Sequence, residues 1–388
     1  MGIQQRPLRL WVVSNNYPTT HRPHIGTFVE GLVAEWVRMG AQVAVVAPHP
    51  YWSPQTRQWV FGYPDSDTAE EPRVLRPGYP SLSNLRLGPV STRRMGLHPF
   101  TWVVRRATRR IGFEPDAVYG HFLLPSGYAA LELGRALGVP AVVALGESHF
   151  SDYEREVGFE FCRRTVRRFQ GIVSVSRRNR DYAVEVYGVP EERILVAPNA
   201  VDPGRFCAGD RAALRRGLGL AEDRSLVVFV GHFEERKGPL RVVDALGDLP
   251  DTDLAFVGEG PQDPRGSSIV FSGPVPHTEV SRWLGAADLF VLPTLDEGSP
   301  NAILEAMACG VPVVSSDIPS LREIADDDCA LLVDPRDRDA LRNAVVSLLR
   351  DADRRSAMGR AALARSAGHT LEDRARRILE WLTELSAR

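Results

Sequence analysis

Residues 287–317, reading ADLFVLPTLDEGSPNAILEAMACGVPVVSSD, narrow the folds open to this chain more than any other stretch. Leu289–Pro293 is an apolar run of strand length, and Gly298-Ser299-Pro300 offer a turn, a helix cap and a proline at the first helical position. The spacing predicts a helix from Pro300 to Cys309 that stops at Gly310, with Val311–Val314 as the next strand. A strand, a helix and a second strand in so few residues belong to an α/β chain with a parallel sheet.

Within that helix Ala302, Ile303, Leu304, Ala306, Met307 and Ala308 leave almost no polar face, the pattern of a helix covered on all sides. Asn301 and Glu305 are the exceptions. They lie four apart and share one side, near the helix start, where backbone N–H groups and the dipole attract anions. A buried carboxylate is costly unless something hydrogen-bonds to it, and ligand hydroxyls are good donors. The pattern asks for a polyol beside a phosphate; the alternative is an ion pair with an arginine supplied by the fold. Glu297, eight positions before Glu305, adds a second carboxylate at the helix start, more than one ion pair needs.

The rest of the chain alternates strand-length and helix-length segments. Leu8–Val13, a stretch from Gly26 to Arg38 and Gln42–Ala47 make a βαβ opening, and Ala117–Tyr119, Ala141–Leu145 and Gly171–Ser176 continue it. A second series begins at Leu226–Val230 and runs through Leu254–Val257, with helices over Ala340–Leu349 and Leu371–Leu385. Residues 50–98, rich in Pro, Gly, Tyr and Ser, are expected to decorate strand ends rather than build the core. With 388 residues and 44% apolar content, the chain can fill two domains.

Charge is distributed unevenly. Residues 1–198 hold 24 arginines against 18 acidic residues, and residues 199–388 hold 23 basic against 31 acidic residues. Arginines gather on two predicted helices, Phe100–Ile111, with Trp102, Val103, Ala107 and Ile111 as its apolar set, and Phe161–Phe169. Each is either a solvated face or a contact for anionic lipid. Lys237 is the one lysine beside 46 arginines. It follows the strand end Gly231-His232, where a compact ammonium suits a diphosphate.

Four widely spaced cysteines without a CxxC pair fit free thiols in a reducing cytoplasm. The first residues lack the apolar core of a signal peptide, and no run reaches membrane-spanning length. No GxxxxGK[ST] is present, and Asp263 breaks any GxGxxG at Gly258-Glu259-Gly260. Asp65-Ser66-Asp67 and Asp251-Thr252-Asp253 read as solvated turns, and His21 and His24 as surface residues, so no metal, cofactor or nucleic-acid partner is expected.

The run Glu297-Gly298, then Glu305-Ala306-Met307-Ala308-Cys309-Gly310-Val311-Pro312-Val313-Val314, resembles the signature of family 4 retaining glycosyltransferases of the GT-B fold, in which seven residues separate two glutamates. The resemblance covers nearly the whole chain. It implies two Rossmann-like doubly wound domains facing a central cleft: an acceptor-binding domain over 1–198, a nucleotide-sugar domain over 199–366, and a terminal helix over 367–388 crossing back to the first. It further implies a UDP- or GDP-sugar donor and a hydroxyl acceptor. Glu305 would hold the donor ribose, Glu297 the transferred sugar, and Gly298 and the amides of Ser299, Asn301 and Ala302 the sugar or phosphate. Lys237 with a nearby arginine would clamp the diphosphate from the Gly231 loop, Gly258 and Gly260 would form the turn by the base, and Gly26 would approach the phosphates.

Two positions depart from the family pattern: His232, a donor-binding position, stands where an arginine is usual, so that either Arg236 takes over or the clamp is weaker, and Gly146 stands where some members carry a histidine. His121 is a candidate catalytic group, and Glu147 and His149 are candidates for acceptor contact. Asn199 and Asp202 resemble the family's turn between domains and are expected to act through turn bonding. The alternatives are an epimerase of the same fold and a non-catalytic sugar-nucleotide-binding partner of a synthase complex. The implied location is the cytoplasm, with peripheral contact to an anionic membrane.

Overall fold

The computed structural model describes residues 6–19, 25–53, 58–60, 65, 72–81, 86–87, 90–147 and 150–387. Its contacts divide the chain into residues 1–198 with 372–388, and residues 199–371.

The first unit is built on seven strands: β1 (Arg9–Val13), β2 (Gln42–Val46), β3 (Arg73–Leu75), β4 (Ala117–His121), β5 (Ala141–Leu145), β6 (Gly171–Ser174) and β7 (Ile194–Val196). They pair in parallel in the order β7-β6-β5-β4-β1-β2-β3. Strands such as Ala141–Leu145 are apolar and buried throughout, the reading of a sheet covered on both faces. Chain order reverses between β1 and β4, so their C-terminal ends open a crevice of the kind where doubly wound sheets bind ligands.

Residues 50–98 depart from expectation. Three of them, Arg73–Leu75, form the edge strand β3, too short for its period to show in sequence. The arginine-bearing helix begins at Thr92 rather than Phe100 and runs to Thr108 through Pro99. Gly96 and Pro99 look like breakers when read locally. Trp102 belongs to the solvent face of this helix, 63% exposed, whereas Val103 and Ala107 are buried. The second arginine-bearing helix lies at Phe159–Val166.

The terminal helix, Leu371–Ser386, buries Ala375, Ile378 and Leu382 in the first unit's core beside Trp36. Trp36 is fully buried, meets the Tyr119 ring edge-on at 5.2 Å and donates from Nε1 to the Ala375 carbonyl at 3.0 Å. Gly171 lets the helix approach, because a Cβ there would stand 2.4 Å from the Trp381 ring.

The second unit carries β8 (Ser225–Val230), β9 (Thr252–Val257), β10 (Ile269–Gly273), β11 (Leu289–Leu292), β12 (Val313–Ser316) and β13 (Ala330–Val333). All pairs are parallel, in the order β10-β9-β8-β11-β12-β13, so chain order reverses between β8 and β11. Helix Asn301–Ala308 links β11 to β12, with Ile303, Leu304, Ala306 and Met307 fully buried, and ends before Gly310 at φ 70°. Among the described residues no helix is long and apolar enough to cross a membrane.

Trp36→Ala is expected to destabilise the first unit by about 3–5 kcal/mol through the cavity it leaves, read from the urea midpoint.

Candidate active site

In the second unit, the loops that leave β8, β9 and β11 carry the polar groups singled out from the sequence. The β8 loop is held close to the β9 loop by glycines. A Cβ at Gly258 would stand 1.9 Å from the Gly231 carbonyl oxygen, and one at Gly260 would stand 2.4 Å from that of Phe233. No other residue fits that approach. Further along the β8 loop, the Arg241 guanidinium bonds the carbonyls of Glu235, Arg236 and Pro293, fixing the loop's return into helix Pro239–Leu246.

Across the switch point, Glu297 is only 5% exposed. Its Oε1 is ion-paired with Lys237 Nζ, lies 3.2 Å from Arg236 Nη1 and accepts from the Thr294 hydroxyl at 3.0 Å. Arg236 is committed on both sides: Nη1 also donates to the Asp296 carbonyl at 2.9 Å, and Nη2 to Glu234 at 2.7 Å. Among the described residues Lys237 makes one bond with its three donors. The His232 side chain is exposed.

Helix Asn301–Ala308 starts one residue later than predicted, with Pro300 at the cap position and no side-chain cap. Ser299 does not cap it, because its hydroxyl accepts from the Asn199 amide at 3.1 Å while Asn199 Nδ2 donates to the Ser299 carbonyl at 2.9 Å. The first-turn N–H groups, including that of Ala302, are left without a side-chain acceptor, and the buried Asn301 Oδ1 has no partner among the described residues. An uncapped helix start beside a cation suits an anionic ligand. One turn on, Glu305 Oε1 lies 3.4 Å from His277 Nε2, so Glu305 meets a histidine rather than an arginine.

In the first unit, Gly26 precedes helix Thr27–Arg38 at φ 76°, and a Cβ there would stand 2.2 Å from the Asn16 carbonyl oxygen. His121 closes β4 in full burial among the rings of Phe28 (5.1 Å) and Phe122 (4.9 Å), with no partner for Nδ1. Burial first, and Arg374 second, push its pKa down to about 3, so the ring is neutral. Glu147 follows β5, buried, with Oε1 accepting from the Leu123 amide at 2.6 Å and Oε2 without a partner. Burial raises its pKa to about 7, against the lowering pull of the Leu123 amide. His149, like His21, His24 and Asp67, lies outside the described residues.

The profile described as "Glycosyl transferases group 1" matches residues 224–351, and that of "Glycosyltransferase Family 4" matches residues 25–205. A D-inositol 3-phosphate glycosyltransferase of Frankia alni is 30% identical over 318 residues, 72% of this chain and 77% of the relative. The chain is a family 4 glycosyltransferase.

TuaC of Bacillus subtilis, assigned to teichuronic acid biosynthesis as a glycosyltransferase, is 29% identical over 349 residues, 87% of each chain. Two solved structures share the GT-B fold of this glycosyltransferase. Sucrose-phosphate synthase of Thermosynechococcus elongatus has a TM-score of 0.79 at 19% identity, over 98% of this chain and 99% of the other. Anabaena HepE, solved with UDP and glucose, has a TM-score of 0.73 at 18% identity, over 97% and 99%.

The structure thus brings Gly231, Arg236, Lys237, Gly258, Gly260, Glu297, Gly298, Ser299, Asn301, Ala302 and Glu305 to one end of the second unit's sheet. His232 shares the loop without joining the cluster around Glu297. Gly26, His121 and Glu147 lie at the corresponding end of the first unit's sheet. Sequence reasoning missed Thr294 and His277. Thr294 lies three residues before Glu297 in a polar loop and was readable; His277 is 28 residues from Glu305, and no local signal joins them.

Glu147 gives the glycosyltransferase a definite pH signature. Unfolded, its carboxyl titrates near 4.5; folded, near 7. Between those values the folded state keeps a proton that the unfolded state has lost, so this group's contribution to stability falls as pH rises. Between about pH 5 and about pH 8 the unfolding free energy of Glu147→Gln is expected to gain on the wild type by up to about 3 kcal/mol, read from urea unfolding at both values.

Proposed function

We propose that this glycosyltransferase moves a sugar, with retention of anomeric configuration, from a nucleotide diphosphate sugar to a hydroxyl of an envelope polysaccharide or its lipid-linked precursor. The observation that carries this reading is the meeting of Lys237 and Arg236 with the buried Glu297 at the switch point between β8 and β11. Open parallel sheets bind ligands there. Because Arg236 is committed to Glu297, Glu234 and the Asp296 carbonyl, it orients the carboxylate, while Lys237, with donors to spare, is the principal phosphate clamp. The uncapped start of helix Asn301–Ala308 adds amides for sugar or phosphate, and Glu305 takes the ribose.

Negative charge on the leaving diphosphate rises as the glycosidic bond breaks, so a clamp that tightens with that charge lowers the barrier. The acceptor hydroxyl then attacks from the same face, assisted by the leaving phosphate. Positive potential from Lys237 and the helix start serves this step without a metal. A UDP-sugar is favoured over a GDP-sugar by analogy with HepE, and an envelope acceptor by analogy with TuaC. The first unit, with Gly26, His121 and Glu147, is assigned to the acceptor and the second to the donor.

The test is a thermal-shift screen with UDP, GDP, ADP and their sugars, in which a true donor at 100 times its Kd adds about 2.7 kcal/mol. Product configuration is then read by NMR. Lys237→Ala is expected to lower turnover by at least about tenfold, the loss of one charge-assisted bond, and to cost more in turnover than in stability because Arg236 still compensates Glu297, and Lys237→Arg is expected to restore part of the turnover. Transfer at the wild-type rate by Lys237→Ala, with loss in Arg236→Ala or His232→Ala, would move the clamp to those residues.

Work at the inner face of an anionic membrane is the second part of the reading. On helix Thr92–Thr108, which contains no acidic residue, and on the turn that follows it, Met95, Trp102, Arg105, Arg106 and Arg109 are exposed, and Arg106 lies over the Trp102 ring at 5.9 Å. None of these three arginines has an acidic partner among the described residues. The other arginine-bearing segment is largely neutralised, with Arg163 and Arg164 beside Glu160 and Arg168 on Glu132. Flotation with anionic vesicles is expected to show binding that weakens with salt and is lost in Trp102→Ser combined with Arg105→Glu and Arg109→Glu. Equal flotation with neutral vesicles would leave these arginines as a solvated face.

A further inference from the structure

His277 opens helix His277–Ala286 and stands between two charged groups. Its Nε2 faces Glu305 Oε1 at 3.4 Å, and its Nδ1 lies 2.8 Å from Arg205 Nη1. A guanidinium carries only donors, so Nδ1 must accept. The proton of the neutral ring is then on Nε2, which donates to Glu305. A protonated ring would set two donors against each other at the Arg205 end.

The relay therefore runs in one direction, from Arg205 through His277 to Glu305. Its base is built by the turn after Asn199: the amides of Arg205 and Phe206 donate to the Asp202 carbonyl at 3.1 and 2.9 Å, and the Gly204 amide to Asp202 Oδ1 at 2.9 Å. Phe206 meets the His277 ring edge-on at 5.6 Å. The turn that carries Asp202 thus sets the orientation of an imidazole that no local sequence signal links to it.

We propose that His277 is a positioning residue that holds the Glu305 carboxylate in one orientation, so that the site selects donors with a ribose diol over deoxyribose donors. This rests on the ribose role of Glu305 given above. The histidine engages Oε1, and none of the described residues hydrogen-bonds Oε2. A carboxylate turned toward a vicinal diol can accept from both hydroxyls at once, whereas one rotated away cannot. A nucleotide without those hydroxyls gains nothing from the arrangement.

The experiment is calorimetric titration of the full chain with UDP, GDP and ADP, followed by the 2′,3′-dideoxy counterpart of whichever binds. His277→Phe is expected to weaken the ribonucleotide by about three- to tenfold, the range of one modest hydrogen bond, and to leave the dideoxynucleotide within about twofold. His277→Gln, which keeps a donor near the Nε2 position, is expected to recover most of the loss. Equal weakening of both nucleotides by His277→Phe would mean a structural role and overturn the proposal, as would an unchanged ribonucleotide affinity.

Glu305→Gln separates the two layers. If it leaves the ratio of ribo to dideoxy affinity unchanged, the ribose role of Glu305 fails and the positioning role with it. If it collapses the ratio while His277→Phe does not, only the positioning role fails. Binding of none of the three nucleotides to the wild type would reject the donor site itself.

Discussion

A carboxylate cannot be sealed beneath two loops unless positive charge comes with it, and Glu297 sets that condition for the second unit. Lys237 and Arg236 meet it from the β8 loop, and Thr294 supports it from below. The ion pairs join the loops of two adjacent central strands that each begin one half of the winding. Only glycine at 258 and 260 lets the β9 loop close in beside them. Charge compensation and close backbone approach together shape one end of the sheet, and the short buried helix after Glu297 takes its place from them.

Buried ionic groups in this chain fall into two kinds. Asp288 is 6% exposed and fully served: Arg215 Nη2 at 2.6 Å, Arg211 Nη1 at 2.7 Å and the Leu226 amide at 2.8 Å all donate to it. Such a network is satisfied within the protein and fixes helix Arg211–Leu218 to β8. Glu147 Oε2, His121 Nδ1, Tyr119 Oη and Arg374 Nη2 are buried without partners among the described residues. Each carries a desolvation cost of about 1–3 kcal/mol that nothing in the first unit offsets. Two of them, His121 and Glu147, lie at the C-terminal ends of parallel strands, where open sheets of this kind collect ligands.

Much of this was legible in the sequence, and the reasons differ by residue. The strands of both sheets show because they are buried on both faces and run as unbroken apolar stretches. The helix at 301–308 shows because its few polar side chains stand out against alanine and leucine. Asn301, Glu305 and Lys237 are legible as exceptions within strongly patterned segments. Edge strand β3 is hidden because three residues cannot display a period, and the start of helix Thr92–Thr108 is hidden by Gly96 and Pro99, which local rules treat as breakers. Trp102 misleads for a different reason: its size suggests the core, although its arginine neighbours share its exposed face. Ser299 was expected as a cap, and the competing amide of Asn199, 100 residues away, takes its hydroxyl instead. Contacts of that kind are set by topology and leave no local trace.

A chain that uses arginine for all but one of its basic side chains also has an unusual chemical property. Apart from the amino terminus, the only primary amine is Lys237, half-buried and drawn onto Glu297. Amine-directed acylating reagents therefore have a single side chain to find, at the point where β8 and β11 diverge. Its rate of modification reports directly on how firmly that ammonium is held, and a fluorophore or crosslinker attached there needs no engineered cysteine. The composition has, in effect, left the protein with one addressable side-chain amine, located beside the buried Glu297.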